Sequence, residues 1–330
     1  MRAGITGISG SLGTALTARL VEAGIGPIVG VTRDEFRAEQ ISQQYGGIQG
    51  NVRVMVVAEG INNQAKLTEV FRGCEVLIHA AALKRISGSV YVAEEMVQTN
   101  VNGTLSVLKA ATAAGVGKVL VVSSDKAVQA TNLYGGTKFL AECLAVQENS
   151  FSYPRGTRIS CVRYGNVLGS RGSVVPIWRE ALISGEPLRV THVNMTRFII
   201  TMRQAVDFIM AALFSMKGGE IFIPLLPSAR MIDLAQAISN EYQIIGALRP
   251  GGEKLTESLL SEEEPARTVG RKLQGGFGNG IEAFAVLPSH RSWSSEPYPG
   301  EPIEPTATYR SDREPFLTVE QLQGLLKEVP

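Results

Sequence analysis

The chain has 330 residues, a length that favours about two domains sharing enough apolar material for a stable core. Its 32 Lys and Arg offset 31 Asp and Glu, which excludes a general nucleic-acid binder, since such proteins carry a basic excess. A 44% hydrophobic fraction, a 19% charged fraction and 35 glycines exclude disordered and fibrous classes and indicate a globular α/β protein.

Ala3 to Thr6 reads as a strand, and Thr6-Gly7-Ile8-Ser9-Gly10-Ser11-Leu12-Gly13 leads from it into a helix. Three glycines there let the backbone turn tightly and approach a pyrophosphate, with the helix N-terminus facing the anion. Leu12, Leu16 and Leu20 form one apolar stripe, and Gly24 can end the helix in a left-handed cap. Further strands are predicted at Ile28 to Val31, Val52 to Val57, Val76 to His79, Val119 to Ser123 and Ser160 to Tyr164. Helices are predicted at Gln64 to Arg72, Ala93 to Ala114 and Leu133 to Glu148. Six strands with intervening helices make a doubly wound parallel sheet of the Rossmann type.

After Arg163 the texture changes. Asn166 to Met195 is rich in Gly, Pro and isolated polar residues, as suits a region closing over a ligand. Thr201 to Phe214 is an apolar helix able to return to the first domain, and Gly219 to Pro224 and Met231 to Ser239 read as strand and helix. Gly270 to Gly280, with five glycines, and Pro288 to Pro305, with five prolines, read as loops. The expected architecture is a dinucleotide-binding Rossmann domain of residues 1–165 and 197–217, with a smaller α/β substrate-binding domain of residues 166–196 and 218–330. Cys74, Cys143 and Cys161 are too scattered for a disulfide framework or a zinc site, so a reducing, cytoplasmic home is expected. No apolar run reaches the roughly 18 residues of a membrane helix, and Met1 stands too close to the first motif for a signal peptide.

After the second strand, Arg33 can grip a ribose 2′-phosphate, which favours NADP, while the following Asp34 and Glu35 can bond the ribose diol of NAD. Glu59 can bond the adenine amino group or stand as a solvated loop carboxylate. The fifth strand ends in Ser123-Ser124-Asp125-Lys126, and Tyr134-Gly135-Gly136-Thr137-Lys138 opens the next helix. The i, i+4 spacing puts Tyr134 and Lys138 on one face, where the cation is expected to lower the phenol pKa and reach the nicotinamide ribose. Alone such a pair is commonplace on helix surfaces. With a glycine loop upstream and serines ending the preceding strand, it points to oxidation of a sugar hydroxyl. Asp125 and Lys126 taken by themselves also fit an ordinary surface ion pair.

These motifs together resemble the extended short-chain dehydrogenases/reductases, and within them the inverting UDP-N-acetylglucosamine 4,6-dehydratases of bacterial glycan biosynthesis. The likeness runs nearly end to end. It is carried by His79-Ala80-Ala81-Ala82-Leu83-Lys84, Ser124-Asp125-Lys126-Ala127, Asn132-Leu133-Tyr134-Gly135, Arg163-Tyr164-Gly165-Asn166-Val167, Gly169-Ser170-Arg171-Gly172-Ser173-Val174-Val175-Pro176, Met195-Thr196-Arg197-Phe198 and Arg249-Pro250. The resemblance implies that Tyr134 deprotonates the 4-hydroxyl as hydride passes to NADP, Lys126 removes the C5 proton, and Asp125 donates to the departing 6-hydroxyl. The hydride then returns to C6, which leaves a 4-keto-6-deoxy sugar with inverted C5. Ser124 belongs to the same catalytic set. Cofactor contacts are implied for Thr6, Gly7, Ser9, Gly10, Ser11, Leu12, Gly13, Arg33, Glu59, Ala80, Ala81, Ala82, Lys84, Asn100, Ser123, Tyr134, Lys138 and Tyr164.

On the substrate side the resemblance implies Lys84, Asn166, Arg171, Val174, Arg197, Arg249 and Glu253, the three arginines being candidates for the UDP diphosphate. Arg163 also fits a structural role, Asn100 is expected to bond backbone near the site, and His79 to contribute backbone near the cofactor. With His192 and His290 elsewhere, no histidine cluster suggests a metal. The chain departs from the family pattern at Arg85-Ile86-Ser87, Ile199, Leu225 and Thr256, and carries an extra glycine at Gly251 or Gly252. These positions are on the substrate side, so the resemblance fixes the reaction more closely than the hexose. A UDP-hexose 4-epimerase and a non-catalytic NADP-binding regulatory or scaffold protein are the competing expectations. A homo-oligomer paired through the Ala93 to Ala114 and Leu133 to Glu148 helices is implied, with neither nucleic acid nor membrane as partner.

Overall fold

The structure is a computed structural model that describes residues 1–45, 48–49, 52–84, 89–248, 251–274, 280–291, 293–294 and 296–329. The first half runs β1 (Ala3–Thr6), α1 (Ser11–Glu22), β2 (Ile28–Thr32), α2 (Glu35–Tyr45), β3 (Ile48–Gln49), β4 (Val52–Ala58), α3 (Gln64–Phe71) and β5 (Val76–His79). It continues through α4 (Ala93–Val97), α5 (Gly103–Ala113), β6 (Lys118–Val122), α6 (Leu133–Ser152) and β7 (Arg158–Val162). Then come β8 (Asn166–Val167), α7 (Val174–Ile183), β9 (Leu188–Val190), β10 (Thr196–Ile200), α8 (Met202–Ser215), β11 (Ile221–Pro224), β12 (Ser228–Arg230) and α9 (Met231–Ile238). The last elements are β13 (Tyr242–Ile244), β14 (Thr268–Leu273), β15 (Ile281–Val286), β16 (Glu301–Pro302) and α10 (Val319–Leu326).

Eleven strands of the described residues form one sheet in the order β16-β14-β15-β11-β7-β6-β5-β1-β2-β4-β3. From β4 to β11 it is parallel. Helices cover both faces, which is why β1, β2 and β5 are buried at every position rather than alternating. Alternate side chains still choose opposite cores: Ile78 and Leu120 meet α1 and α8 residues such as Leu16 and Phe208. Leu77 and Val121 meet Phe71 of α3 and Val107 of α5. Strand order reverses between β1 and β5, so the carboxyl ends of these strands open the crevice where α/β sheets bind ligands. Register places Thr6 beside both Val31 and His79.

Most expected elements are present. Gly24 does end α1, with φ at +66°, its N–H donating to Val21 and that of Ile25 to Leu20. The helix expected over Ala93 to Ala114 is interrupted by a π turn at Gln98–Asn102, which swings Asn100 inward. Gly270 to Gly280 and Pro288 to Pro305 are not simply loops: β14 runs to Leu273, β15 starts at Ile281, and Glu301–Pro302 pairs with β14. Alternation in Ile281–Val286 outweighs the neighbouring glycines. The sheet accordingly continues past residue 217 through β11, β15, β14 and β16, because β11 pairs parallel with β7. β8, β10 and β12 form a second sheet and β9 and β13 a third. Together with α7, α9 and α10 they enclose a separate core around Trp178, Leu188, Leu234 and Leu322. Among the described residues no helix is long and apolar enough to cross a membrane.

Candidate active site

At the end of β1, Gly7 adopts φ +71° and a Cβ there would stand 2.8 Å from the Ala81 backbone. A Cβ on Gly13 would run into the Gly7 carbonyl and Ile8 backbone, so glycine permits the tight approach of α1 to the loop. Gly10 caps α1 without a side chain, leaving the first-turn N–H groups open toward the crevice. Ser11 Oγ accepts from the Arg171 N–H at 3.2 Å. That contact holds the Arg171 backbone beside the glycine loop, between Gly169 and Gly172 at φ +71° and +72°, and Arg171 lines the crevice together with Asn166 and Ser173.

Beyond β2, Ser9 Oγ and Thr32 Oγ1 bond at 2.7 Å. Arg37, which the sequence reading missed, donates to the Ser9 carbonyl at 3.2 Å and pairs with Asp34 at 3.1 Å. Its signal was the i, i+3 spacing from Asp34. Arg33 pairs with Glu95 at 3.1 Å, both well exposed. Glu59 follows β4 and accepts from the Gly60 N–H at 2.9 Å.

Thr6 Oγ1 bonds His79 Nδ1 at 2.6 Å, and His79 Nε2 bonds Thr104 at 3.0 Å. Burial, with the Lys138 charge, pushes the His79 pKa down to about 3, so this ring is a neutral tie inside the core. Asn100 clamps the next segment: Oδ1 accepts from the Leu83 N–H at 2.7 Å and Nδ2 donates to the Leu83 carbonyl at 2.9 Å and to Thr137 at 3.0 Å. Ala80, Ala82 and Lys84 thereby line the crevice, and Ala81 backs onto Gly7.

Past β6, Ser123 and Asp125 donate backbone N–H to the Val162 and Tyr164 carbonyls at 2.7 and 3.1 Å, holding the strand end beside β7. Ser124 caps the short turn Asp125–Ala127, its Oγ donating to Asp125 Oδ1 at 2.8 Å. Lys126 Nζ donates to both Asp125 oxygens at 3.0 and 2.9 Å and meets Glu257 Oε1 at 2.9 Å. Side-chain exposures of 2%, 14% and 1% for Asp125, Lys126 and Glu257 show a group turned into the protein, not a surface pair. Glu257 was missed because nothing in local spacing ties it to a residue so far upstream.

Asn132 caps α6 by accepting from the Gly135 N–H at 2.8 Å. Lys138 Nζ donates to the Val122 carbonyl, and burial lowers its pKa to about 8 against the opposing charge of Glu142. The expected lowering of the Tyr134 pKa is not seen. Burial, reinforced by the Asp125 charge, holds the phenol above its ordinary value, and hydrogen bonding with Ser124 opposes this only in part. Tyr164 is raised likewise by burial and by Tyr134.

A Cβ on Gly135 would collide with the Lys126 carbonyl, whereas one on Gly136 meets nothing within 4 Å. Gly135→Ala is therefore expected to lower the unfolding free energy by about 1–3 kcal/mol through overpacking. Gly136→Ala should raise it by about 0.5–1 kcal/mol, as for Gly in a helix. Urea denaturation of the two variants measures the contrast.

Two chambers meet here. The inner, of 690 Å³, runs from Gly7, Gly10, Ser11, Leu12 and Gly13 to Ser123, Ser124, Asp125, Lys126, Tyr134, Lys138 and Tyr164. The outer, of 500 Å³, is lined by Val174, Arg197 and Glu253, and also by Trp178, Arg189, Met195 and Glu257. Lys84, Lys126, Asn166, Gly172 and Ser173 line both. Arg197 spends its guanidinium on carbonyls of Thr196, Leu255 and Lys254 at 2.7, 3.2 and 2.8 Å, fastening β10 to the following loop. Exposed Arg189 is the guanidinium that sequence reasoning overlooked. Arg249 and Arg85-Ile86-Ser87 lie outside the described residues.

The extra glycine has a place: Gly252, at φ +89°, accepts from Thr131 Oγ1 and Asn132 Nδ2 at 2.9 and 3.3 Å and so ties the outer chamber to the start of α6. Arg163 is structural, held between Glu142 and Glu264 by bonds of 2.7 to 3.0 Å. Ser123 Oγ, Asn166 Oδ1 and Ser173 Oγ are buried without hydrogen-bond partners on these walls. Partnerless polar atoms facing a cavity mark where a ligand supplies the missing bonds. The glycine cradle and Ser123 thus fit a dinucleotide, and Asn166 and Ser173 fit a polar ligand at the junction.

A profile of the family described as "Polysaccharide biosynthesis protein" matches residues 4–273. An inverting UDP-N-acetylglucosamine 4,6-dehydratase of Campylobacter jejuni is 36% identical over 264 residues, covering 79% of this chain and 77% of its own. A UDP-glucose 4-epimerase of Rickettsia conorii is 34% identical over 269 residues, covering 80% and 78%. The X-ray structure of Pen from Bacillus thuringiensis has a TM-score of 0.85 at 28% identity, covering 99% of this chain and 97% of that one. With its glycine loop, its Tyr134/Lys138 pair and this breadth of similarity, the chain belongs to the polysaccharide biosynthesis protein family of extended short-chain dehydrogenases/reductases.

Proposed function

We propose that the protein is an NADP-dependent lyase that removes water from a UDP-N-acetylhexosamine, UDP-N-acetylglucosamine being the substrate to try first, to give a 4-keto-6-deoxy sugar nucleotide with inverted C5. One observation carries this: Asp125 and Lys126 close the same chamber that Tyr134 and the glycine loop line. The dinucleotide would lie along Gly7, Gly10, Ser11 and Gly13, its nicotinamide end between Ser123, Tyr134, Lys138 and Tyr164. Arg33 and Arg37 support a 2′-phosphate at the other end, since the exposed Arg33–Glu95 pair is weak enough to exchange for phosphate. When bound, the nicotinamide supplies reversible hydride chemistry at C4 and C6. The nucleotide part of the substrate would occupy the outer chamber, with Arg189 and Lys84 facing its phosphates.

Tyr134 takes the 4-hydroxyl proton; a phenol held above its ordinary pKa is a strong acceptor once ionised, and the Ser124 bond favours that ionised form. Elimination then needs a base for the C5 proton and an acid for the 6-hydroxyl. Transfer of one proton from Lys126 to Asp125, across 2.9 Å, makes both at once. The C5–H bond breaks toward Nζ of Lys126. The C6–O bond breaks as Asp125 passes its proton to the departing 6-hydroxyl, and water leaves; once C6 is reduced, a solvent proton would reach C5 from the face opposite Lys126, balanced by release of the proton that Tyr134 took.

The similarity to a UDP-glucose 4-epimerase favours a second reading, in which Tyr134 and Lys138 act and Asp125 and Lys126 do no chemistry. Mass spectrometry after incubation with NADP and UDP-N-acetylglucosamine separates them: loss of one water supports the dehydratase, an isomer of equal mass the epimerase, and unchanged substrate a non-catalytic binder. Exposed Val97 of α4 and Phe139 and Leu140 of α6 support pairing of two chains through these helices. The three cysteines are unpaired, which supports a reducing compartment such as the cytoplasm.

A further inference from the structure

We propose that Glu257 is a positioning residue for Lys126: together with Asp125 it brackets the amine, fixes its direction in the chamber and supplies the second anion that the ammonium faces. This rests on the dehydratase reading above for its catalytic consequence, but not for its electrostatic one.

Glu257 is 1% exposed and its Oε1 stands 2.9 Å from Lys126 Nζ. Its backbone is held rigidly. The Glu257 N–H donates to Ser311 Oγ at 3.0 Å, the Ser311 N–H donates to the Glu257 carbonyl at 2.9 Å, and Ser311 Oγ donates to the Thr196 carbonyl at 3.1 Å. Oε2 accepts no hydrogen bond among the described residues, and two longer ion pairs reach the carboxylate, from Lys254 at 3.8 Å and Arg197 at 3.9 Å, so Lys126 is the nearest of three cations around it. A carboxylate so buried is costly without cations around it, and Lys126 makes the shortest of these contacts.

Lys126 Nζ donates to both oxygens of Asp125 and forms an ion pair with Glu257 Oε1. Asp125 is its neighbour on the same turn and moves with it, so among the described residues Glu257 is the anion that references the amine to the rest of the chamber. When a proton passes from Lys126 to Asp125, Asp125 ceases to be an anion. Glu257 is then the remaining acceptor that keeps the amine aimed, and after the C5 proton arrives at Nζ it is the counter-charge of the ammonium. The other charged or titratable groups toward Lys126 are Lys254 from the same loop, Arg197 from β10, Tyr134 from α6 and Lys84 after β5.

The test uses the whole chain without substrate. The pH dependence of Lys126 acetylation by acetic anhydride is followed by peptide mass spectrometry in the wild type, Glu257→Gln and Glu257→Asp. Removing an anion beside an ammonium favours the amine, so the Gln midpoint should fall by about one unit or more, while Asp stays near the wild type. Turnover of UDP-N-acetylglucosamine by Gln should drop about 100-fold in kcat with little change in KM, and Asp should recover much of it. An unchanged Lys126 midpoint in Gln overturns the proposal, as does equal kcat in Gln and Asp. If Gln does not fold, Glu257→Ala takes its place in both measurements: an unchanged Lys126 midpoint, or a kcat equal to that of Asp, overturns the positioning role. Should the wild type release no water while the Gln midpoint still shifts, the dehydratase reading fails and the electrostatic link stands.

Discussion

Lys126→Ala is expected to lower the rate of water loss by about 10²–10⁴-fold, the range for a general base, while leaving dinucleotide affinity within a few-fold of wild type. The two effects separate because the proposed dinucleotide contacts are backbone groups of the glycine loop between β1 and α1, whereas the Lys126 ammonium meets Asp125 and Glu257 among the described residues. Deleting the cation also leaves two buried carboxylates facing each other, so Lys126→Ala should lose stability as well as rate. Lys126→Gln keeps an N–H donor between them and isolates the chemical effect. Initial rates by mass spectrometry and NADP titration by calorimetry on both variants check the separation. A variant that still releases water at the wild-type rate removes Lys126 from the mechanism.

The largest structural effect is expected away from the reaction. Arg163 is 3% exposed at its side chain and bridges Glu142 and Glu264, themselves 3% and 7% exposed. Burial works against its charge, but the two carboxylates prevail and hold the guanidinium above its ordinary pKa. Arg163→Met strands both anions and should cost about 3–5 kcal/mol of unfolding free energy, the usual penalty for breaking a buried pair from one side. Sign and pH follow from Glu264. Burial pushes its carboxyl up, yet the Arg163 hydrogen bonds and charge bring it net below the ordinary value. A depressed carboxyl stabilises the fold above its unfolded pKa and loses that contribution as pH falls through the folded one. The deficit of Arg163→Met should thus be greatest near neutral pH and shrink in acid, which urea denaturation across pH measures.

What could be seen in the sequence was local. The glycine loop, the Tyr134/Lys138 spacing and the Asp125-Lys126 adjacency depend on residues within a turn or two of each other, and each reaches the same crevice because parallel strands end on one side of the sheet. Partners that arrive from distant segments were invisible: Glu257 for Lys126, the carbonyls that consume Arg197, and Glu264 for Arg163. Direction was also hidden. Nothing in local spacing shows that two left-handed glycines fold the chain so that the Arg171 backbone meets Ser11 of the glycine loop. The Tyr134 shift had the opposite sign because desolvation, which spacing does not reveal, exceeds the effect of a lysine whose ammonium is committed to Val122. Glycine and proline counts concealed the end of β14 and the whole of β16, where pairing with β15 and an edge pairing decide the structure.

The most direct measurement runs the reaction in heavy water with wild-type protein, NADP and UDP-N-acetylglucosamine, and reads the product by mass and proton NMR. Elimination by Lys126 and Asp125 predicts a 4-keto-6-deoxy product that has lost one water and carries a single deuterium at C5. An isomer of the substrate with no deuterium at C5 would contradict it and leave only oxidation at C4.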